Sequence, residues 1–225
     1  MKTLLKIVLV FCVALAASAG ASADSLTLVN GGSDVMGGVY VGPYNFQGTL
    51  GGQTATFQLI CDDFTHDVYS GESWNVLDSS FPALTNAKFA PASSYEEVGW
   101  LTQQMFQNLS NSQTVGEIQW AIWDIFDATA SSNDPYGSLT SSEDTQINYW
   151  LGQAAANYAS GNYSDLEVYT PVSGSQNPVA DGEPQEYIGL TPTPEPGAFL
   201  LVGIGLCFIG VFRRYFVPKQ QSGCY

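Results

Sequence analysis

The chain has 225 residues with 21 acidic against 6 basic side chains, a formal net charge of −15 at pH 7. The imbalance concentrates between Asp24 and Glu186, where twenty carboxylates stand against one cation, Lys88, and no arginine, a net of −19. Such a segment repels phosphate backbones and anionic lipid surfaces, which excludes nucleic-acid binding and leaves divalent cations, amines and polysaccharides as partner chemistries.

In chain order, Lys2 and Lys6 flank the apolar stretch Ile7 to Ala17, and Ala21-Ser22-Ala23 follows. A charged start, a hydrophobic run and a small-residue cleavage site predict a secretory signal peptide over residues 1–23. Residues 24–190 then form one extracytoplasmic domain, long enough to bury a core. Aromatic residues make up 13% of the chain, which argues against acid-driven disorder in this domain. Leu26 to Asn45 reads as a strand, a turn broken by Gly31-Gly32 and Gly37-Gly38, and a second strand. Thr54 to Cys61 is the clearest strand, rich in β-branched and aromatic residues. His66 to Val76 reads as a hairpin turning at Ser70-Gly71.

The period then changes. Tyr95, Val98, Leu101, Met105 and Leu109 recur at helical spacing within Ser93 to Asn108, with Glu96 and Glu97 placed in the first turn. Val115 to Phe126 predicts a second helix with Ile118, Ile122, Ile125 and Phe126 on one face, and Asp144 to Tyr158 a third. Val168 to Thr170 and Gln185 to Leu190 return to strand, separated by a loop from Pro171 to Glu183. The pattern predicts an α+β fold, mainly a β-sandwich or barrel with a helical insertion.

Beyond the domain, residues 191–197 form a proline-rich linker containing Pro194-Glu195-Pro196. Ala198 to Phe212 is fifteen residues without charge, closed by Arg213 and Arg214. That is short for a span, which takes roughly 17–25 residues, unless the arginines snorkel and the helix extends over 198–217. Basic residues past its end place a tail of residues 218–225 in the cytoplasm. The motif, helix and arginine pair together resemble the PEP-CTERM sorting signal of biofilm-forming Gram-negative bacteria. The tail departs from the usual pattern in continuing from Tyr215 to Tyr225. The resemblance implies an exosortase-type membrane protease as processing partner. It also implies inner-membrane anchoring followed by release to the cell surface or extracellular matrix.

Of four cysteines, Cys12 lies in the signal segment, Cys207 in the apolar tail and Cys224 beyond it, so Cys61 is the only thiol of the domain. An exported domain with a single thiol must bury it, pair it between chains or use it. Three segments resemble, in order, the motifs of the thioester-forming domains of bacterial surface adhesins: Leu59-Ile60-Cys61-Asp62-Asp63-Phe64, Ile118-Gln119-Trp120-Ala121-Ile122-Trp123 and Pro184-Gln185-Glu186-Tyr187-Ile188. Ile118 stands where that family has Thr, Ile60 replaces its usual Tyr, Phe or Leu, and Pro184 is unusual before the Gln. The resemblance implies an internal thioester between Cys61 and Gln185 on adjacent strands, oriented by Gln119 and Trp123. Such a bond would acylate a surface amine once, without enzymatic turnover, and requires neither cofactor nor metal. A low lysine content fits, and is equally expected of any acidic exported protein.

Two other readings remain. A non-covalent, polysaccharide-binding matrix protein would keep Cys61 free and use exposed aromatic residues such as Trp74 or Trp100. An exported hydrolase would need an acid pair such as Asp124 and Asp127 in a cleft; three apart on one helix beside Trp123, they are explained more cheaply as a solvated helix edge. Asp62, Asp63 and Asp67 offer oxygen ligands to calcium but lack EF-hand spacing. His66, the only histidine, has no Gly-x-Ser-x-Gly elbow to serve.

Overall fold

A computed structural model of the chain describes residues 23–132, 134, 136–178 and 182–191. The signal segment through residue 22, Pro194, Glu195, Pro196, the apolar tail and Arg213 and Arg214 lie outside the described residues. Among the described residues no helix is long and apolar enough to cross a membrane.

Six strands carry the fold: β1 (Ser25–Asn30), β4 (Tyr44–Leu50), β5 (Gln53–Cys61), β6 (Ser73–Ser80), β7 (Leu166–Pro171) and β8 (Tyr187–Leu190). They close into an antiparallel barrel in the order β1-β4-β5-β8-β7-β6. Closure pairs every edge, which removes the exposed hydrogen-bonding templates that open sheets carry. Of the two predicted β architectures, the barrel is the one formed. A small hairpin, β2 (Val35–Met36) with β3 (Val39–Tyr40), fills the glycine-rich segment between β1 and β4. Its turn is Gly37-Gly38, with φ of +62° and +76°, the left-handed pair that a two-residue hairpin requires.

Alternation along the strands sends Leu26, Leu28, Phe46 and Trp74 inward. Tyr187 joins them from β8, stacking on Trp74 with centroids 6.2 Å apart and meeting Phe46 edge-on at 4.7 Å. At the junction of β5 and β8 the alternation fails. Leu59, Ile60, Cys61, Tyr187 and Ile188 are all buried, because helices cover the outer face there and both faces must be apolar.

Those helices are inserted between β6 and β7: α1 (Ala92–Gln107), α2 (Ser112–Phe126) and α3 (Ser141–Asn157). Helix α1 lies against β8 and α2 against β5. In α2, Val115 through Trp123 are buried on every side, as expected of a helix lodged between the barrel and its neighbours. Helix α3 buries only Ile147 and Ala154 and is fixed at its start by a capping box between Thr140 and Glu143.

Several details differ from the sequence expectation. Residues between Cys61 and Ser73 form no strand. Asp63 Oδ1 instead accepts from the Thr65 N–H and hydroxyl, and Glu72 accepts from the Tyr69 N–H. Local side-chain bonds of this kind replace a ladder. The turn at Gly71 survives, with φ of +93°. Helix α1 starts at Ala92, so Glu96 and Glu97 fall outside its first turn, and Leu109 lies past its end, exposed.

The inner aromatic cluster sets the core's stability. Trp74→Ala should cost about 3–5 kcal/mol in urea unfolding, while truncating the exposed Tyr149 should stay within about 0.5 kcal/mol.

Candidate functional site

Strand β5 ends at Cys61, which pairs with Tyr187 at the start of β8. Continuing that antiparallel register sets Asp62 opposite Glu186 and Asp63 opposite Gln185. Asp62 N–H indeed donates to the Glu186 carbonyl at 3.4 Å. Cys61, Gln185 and Tyr187 thus share one face, while Asp62 and Glu186 share the other.

On the first face the Cys61 thiol donates to the Asp63 carbonyl at 3.2 Å, and the Gln185 amide Nε2 donates to the same oxygen at 2.9 Å. The sulfur and the amide nitrogen therefore lie no further apart than those two lengths combined. The Tyr187 hydroxyl donates to Gln185 Oε1 at 2.8 Å. Burial drives the Tyr187 hydroxyl well above its ordinary pKa, and the Asp63 carboxylate adds to the shift, so it remains a donor. Cys61 is fully buried, and that burial pushes its thiol well up, with Asp63 and Asp62 adding to the effect. The Asp63 carbonyl contact and Trp123 oppose the shift. Among the described residues the buried Trp123 indole N–H meets no acceptor at hydrogen-bond geometry.

Helix α2 fixes this corner through Gln119, which donates from Nε2 to the Cys61 carbonyl at 2.6 Å and accepts on Oε1 from the Gly42 N–H at 3.1 Å. One buried amide thus ties the end of β5 to the segment entering β4. Of the residues singled out in the sequence, Cys61, Gln185, Gln119 and Trp123 meet here. Gln185 and Trp123 also line a cleft of about 430 Å³ that opens to solvent.

The opposite face holds two buried carboxylates. Glu186 accepts from the Lys88 backbone N–H at 2.8 Å and from the hydroxyls of Tyr95 and Thr170. Asp62 is fully buried, and among the described residues neither of its carboxylate oxygens meets a partner at hydrogen-bond geometry. Burial raises Asp62 well above the usual carboxylate range, and the neighbouring charges of Glu186 and Asp63 raise it further. Burial raises Glu186 too, but its hydrogen-bond donors oppose the shift. Glu186 is therefore the better anion of the pair and Asp62 holds the proton.

Asp63 behaves differently. Burial alone would raise it, but His66 and Lys88 outweigh that and hold it below its ordinary value. Lys88 Nζ lies 2.7 Å from Asp63 Oδ2, and His66 Nδ1 lies 3.0 Å from Asp63 Oδ1 and 3.1 Å from Lys88 Nζ. Asp62 and Asp63 thus face different partners, and Asp67 is exposed. Among the described residues no group of three or more His, Cys, Asp or Glu side chains is placed to hold a metal ion.

Other candidates are committed elsewhere. Trp74, offered above for sugar stacking, is 2% exposed inside the barrel. Alternation turns it inward. Trp100 packs against Trp150 with centroids 6.3 Å apart. Asp124 accepts from the Ser131 N–H and hydroxyl, and Asp127 from those of Thr129, so both acids close the turn after α2. Tyr187 and the Asp62–Glu186 pair were missed in the sequence. Strand alternation alone puts Tyr187 on the face of Gln185, but Asp62 meets Glu186 only through the Cys61–Tyr187 register, which the sequence does not fix.

The raised carboxyl gives a pH test. A group protonated more tightly when folded contributes stability below its unfolded pKa, about 4, and loses it as pH rises through the folded value. The wild-type chain should lose up to about 1.4 kcal/mol per pH unit over that window, and Asp62→Asn should flatten the slope in denaturant titrations run from pH 4 upward.

Compared with protein-family models, curated proteins and solved structures, the chain finds no match.

Proposed function

We propose that this is an exported surface or matrix interaction protein that attaches covalently to amines through an internal thioester between Cys61 and Gln185. The observation that carries the reading is the shared acceptor. Both the Cys61 thiol and the Gln185 amide donate to the Asp63 carbonyl, while Tyr187 holds the Gln185 carbonyl oxygen. Attack of Cys61 Sγ on Gln185 Cδ forms the C–S bond and breaks the C–N bond. The thiol proton passes to the departing nitrogen, and ammonia leaves. Amide nitrogen is a poor leaving group, so held proximity must supply most of the drive. Tyr187 donates to the oxygen on which negative charge grows, and Gln119 keeps the Cys61 end of β5 in place.

A target amine then attacks the same carbon, forming an amide and returning the thiol to Cys61. Each molecule reacts once, so the protein is a chemical anchor and not a turnover enzyme. Sorting follows the Pro194-Glu195-Pro196 motif and the Arg213-Arg214 pair, with an exosortase-type protease as the processing partner and the apolar tail as the membrane anchor.

Intact mass of the purified chain should fall short by one ammonia, and methylamine should add to Gln185. Full mass with a freely alkylated Cys61 would leave the second reading, a non-covalent matrix protein. Tyr187→Phe keeps the ring in the barrel but removes the donor. It should slow loss of the alkylatable thiol after refolding by about 100-fold; an unchanged rate would show that the hydroxyl plays no part.

A further inference from the structure

The cleft that reaches Gln185 has a rim that the bond-forming chemistry does not explain. Tyr40, Tyr69 and Tyr136 line it and are 59%, 64% and 67% exposed. Exposed aromatic side chains are ordinarily free to turn, but two of these rest on glycine backbone. A Cβ on Gly31 would lie 2.9 Å from the Tyr40 ring, and one on Gly38 would lie 2.8 Å from the Tyr136 ring. Any larger residue would lift the rings away, and Gly38, with φ of +76°, is strained for other residues in any case. Tyr40 is held further by its carbonyl, which accepts from the Tyr44 hydroxyl at 2.7 Å. The rings are thus placed with little left to lose on binding, which is the condition for efficient stacking. Among the described residues lining the cleft, Asp67 is the one charged side chain and none is basic.

We propose that this cleft binds a polysaccharide bearing free amino sugars and delivers one of its amines to Gln185. The proposal rests on the thioester reading for its covalent step, not for its binding step. Flat apolar sugar faces suit tyrosine platforms, and ammonium groups suit Asp67 and a domain with a net charge of −19 between Asp24 and Glu186. Reactivity separates this ligand from a protein lysine. A lysine amine, with a pKa near 10.4, is almost wholly protonated and non-nucleophilic at neutral pH. The amine of a glucosamine unit is far less basic, so a polymer of such units is both attracted as a cation and reactive as a free base. In the covalent step the neutral amine attacks Gln185 Cδ, the C–S bond breaks, and the amine's proton passes to the Cys61 thiolate.

The test uses the full chain and three probes: a glucosamine hexasaccharide, its fully N-acetylated counterpart and an oligolysine peptide. Cys61→Ala, which cannot form the thioester, should bind the glucosamine oligomer reversibly by calorimetry. Tyr136→Ala, Tyr40→Ala and Gly31→Val should each weaken that binding at least about tenfold, and so should N-acetylation of the probe. The wild-type chain should carry the oligomer on Gln185. Binding to Cys61→Ala without any adduct or ammonia deficit on wild type would sink the thioester and leave the cleft standing. Methylamine incorporation with oligomer binding absent, or unmoved by the tyrosine changes, would overturn the cleft and spare the thioester. Tighter binding of oligolysine would overturn the sugar assignment in favour of a protein amine.

Discussion

The register of β5 against β8 is the constraint on which the site depends. Cys61 opposite Tyr187 is enough to put the thiol, the Asp63 carbonyl, the Gln185 amide and the Tyr187 hydroxyl on one face. A slip of β8 by one residue would turn Gln185 and Tyr187 to the other face and part them from the thiol. Burial on both faces makes such a slip costly. Tyr187 is locked among Phe46 and Trp74 inside the barrel, while Ile60 and Ile188 pack under the helices outside. Helix α2 adds a polar lock through Gln119, a fully buried side chain with a partner at both ends of its amide.

The two faces of that junction solve different electrostatic problems. Toward the barrel, the thiol and the Gln185 amide share the Asp63 carbonyl, and the Tyr187 hydroxyl donates to the Gln185 oxygen, where the proposed reaction would build negative charge. Toward the helices, two carboxylates face each other out of water, and donors are given to one of them. Glu186 takes Lys88 N–H, Tyr95 and Thr170, leaving Asp62 to carry the proton. Between them, Asp63 is held as an anion by Lys88 and His66. The one lysine between Asp24 and Glu186 is therefore tied to a carboxylate beside the site.

How much of this was legible in the sequence depends on the range of the interactions. Local signals located the elements well. Helical spacing from Tyr95 to Met105 marks α1, the β-branched run from Thr54 marks β5, and Gly37-Gly38 marks a turn, although the hairpin it closes went unread. The region from Asp63 to Glu72 failed because Asp63 and Glu72 bond to nearby backbone, and no hydrophobic period reveals that. Strand order was beyond reach by local reasoning. Asp63 and Gln185 lie 122 positions apart, and only the motif resemblance suggested they meet. Trp74 shows the opposite limit, since its composition-level reading as an exposed aromatic was overturned by the inward turn of β6. The tyrosine rim was invisible for the same reason: Gly31 and Gly38 read as turn breakers, and nothing local says which rings will rest on them.

The central claim is a covalent bond between two named atoms, and a crystal structure of the purified chain at high resolution tests it most directly. The account predicts continuous electron density from Cys61 Sγ to Gln185 Cδ, at bonding distance, with the amide nitrogen gone. It further predicts Tyr187 still donating to the remaining oxygen. Separate side chains, with an intact Gln185 carboxamide and a free thiol in protein never exposed to amines, would contradict it.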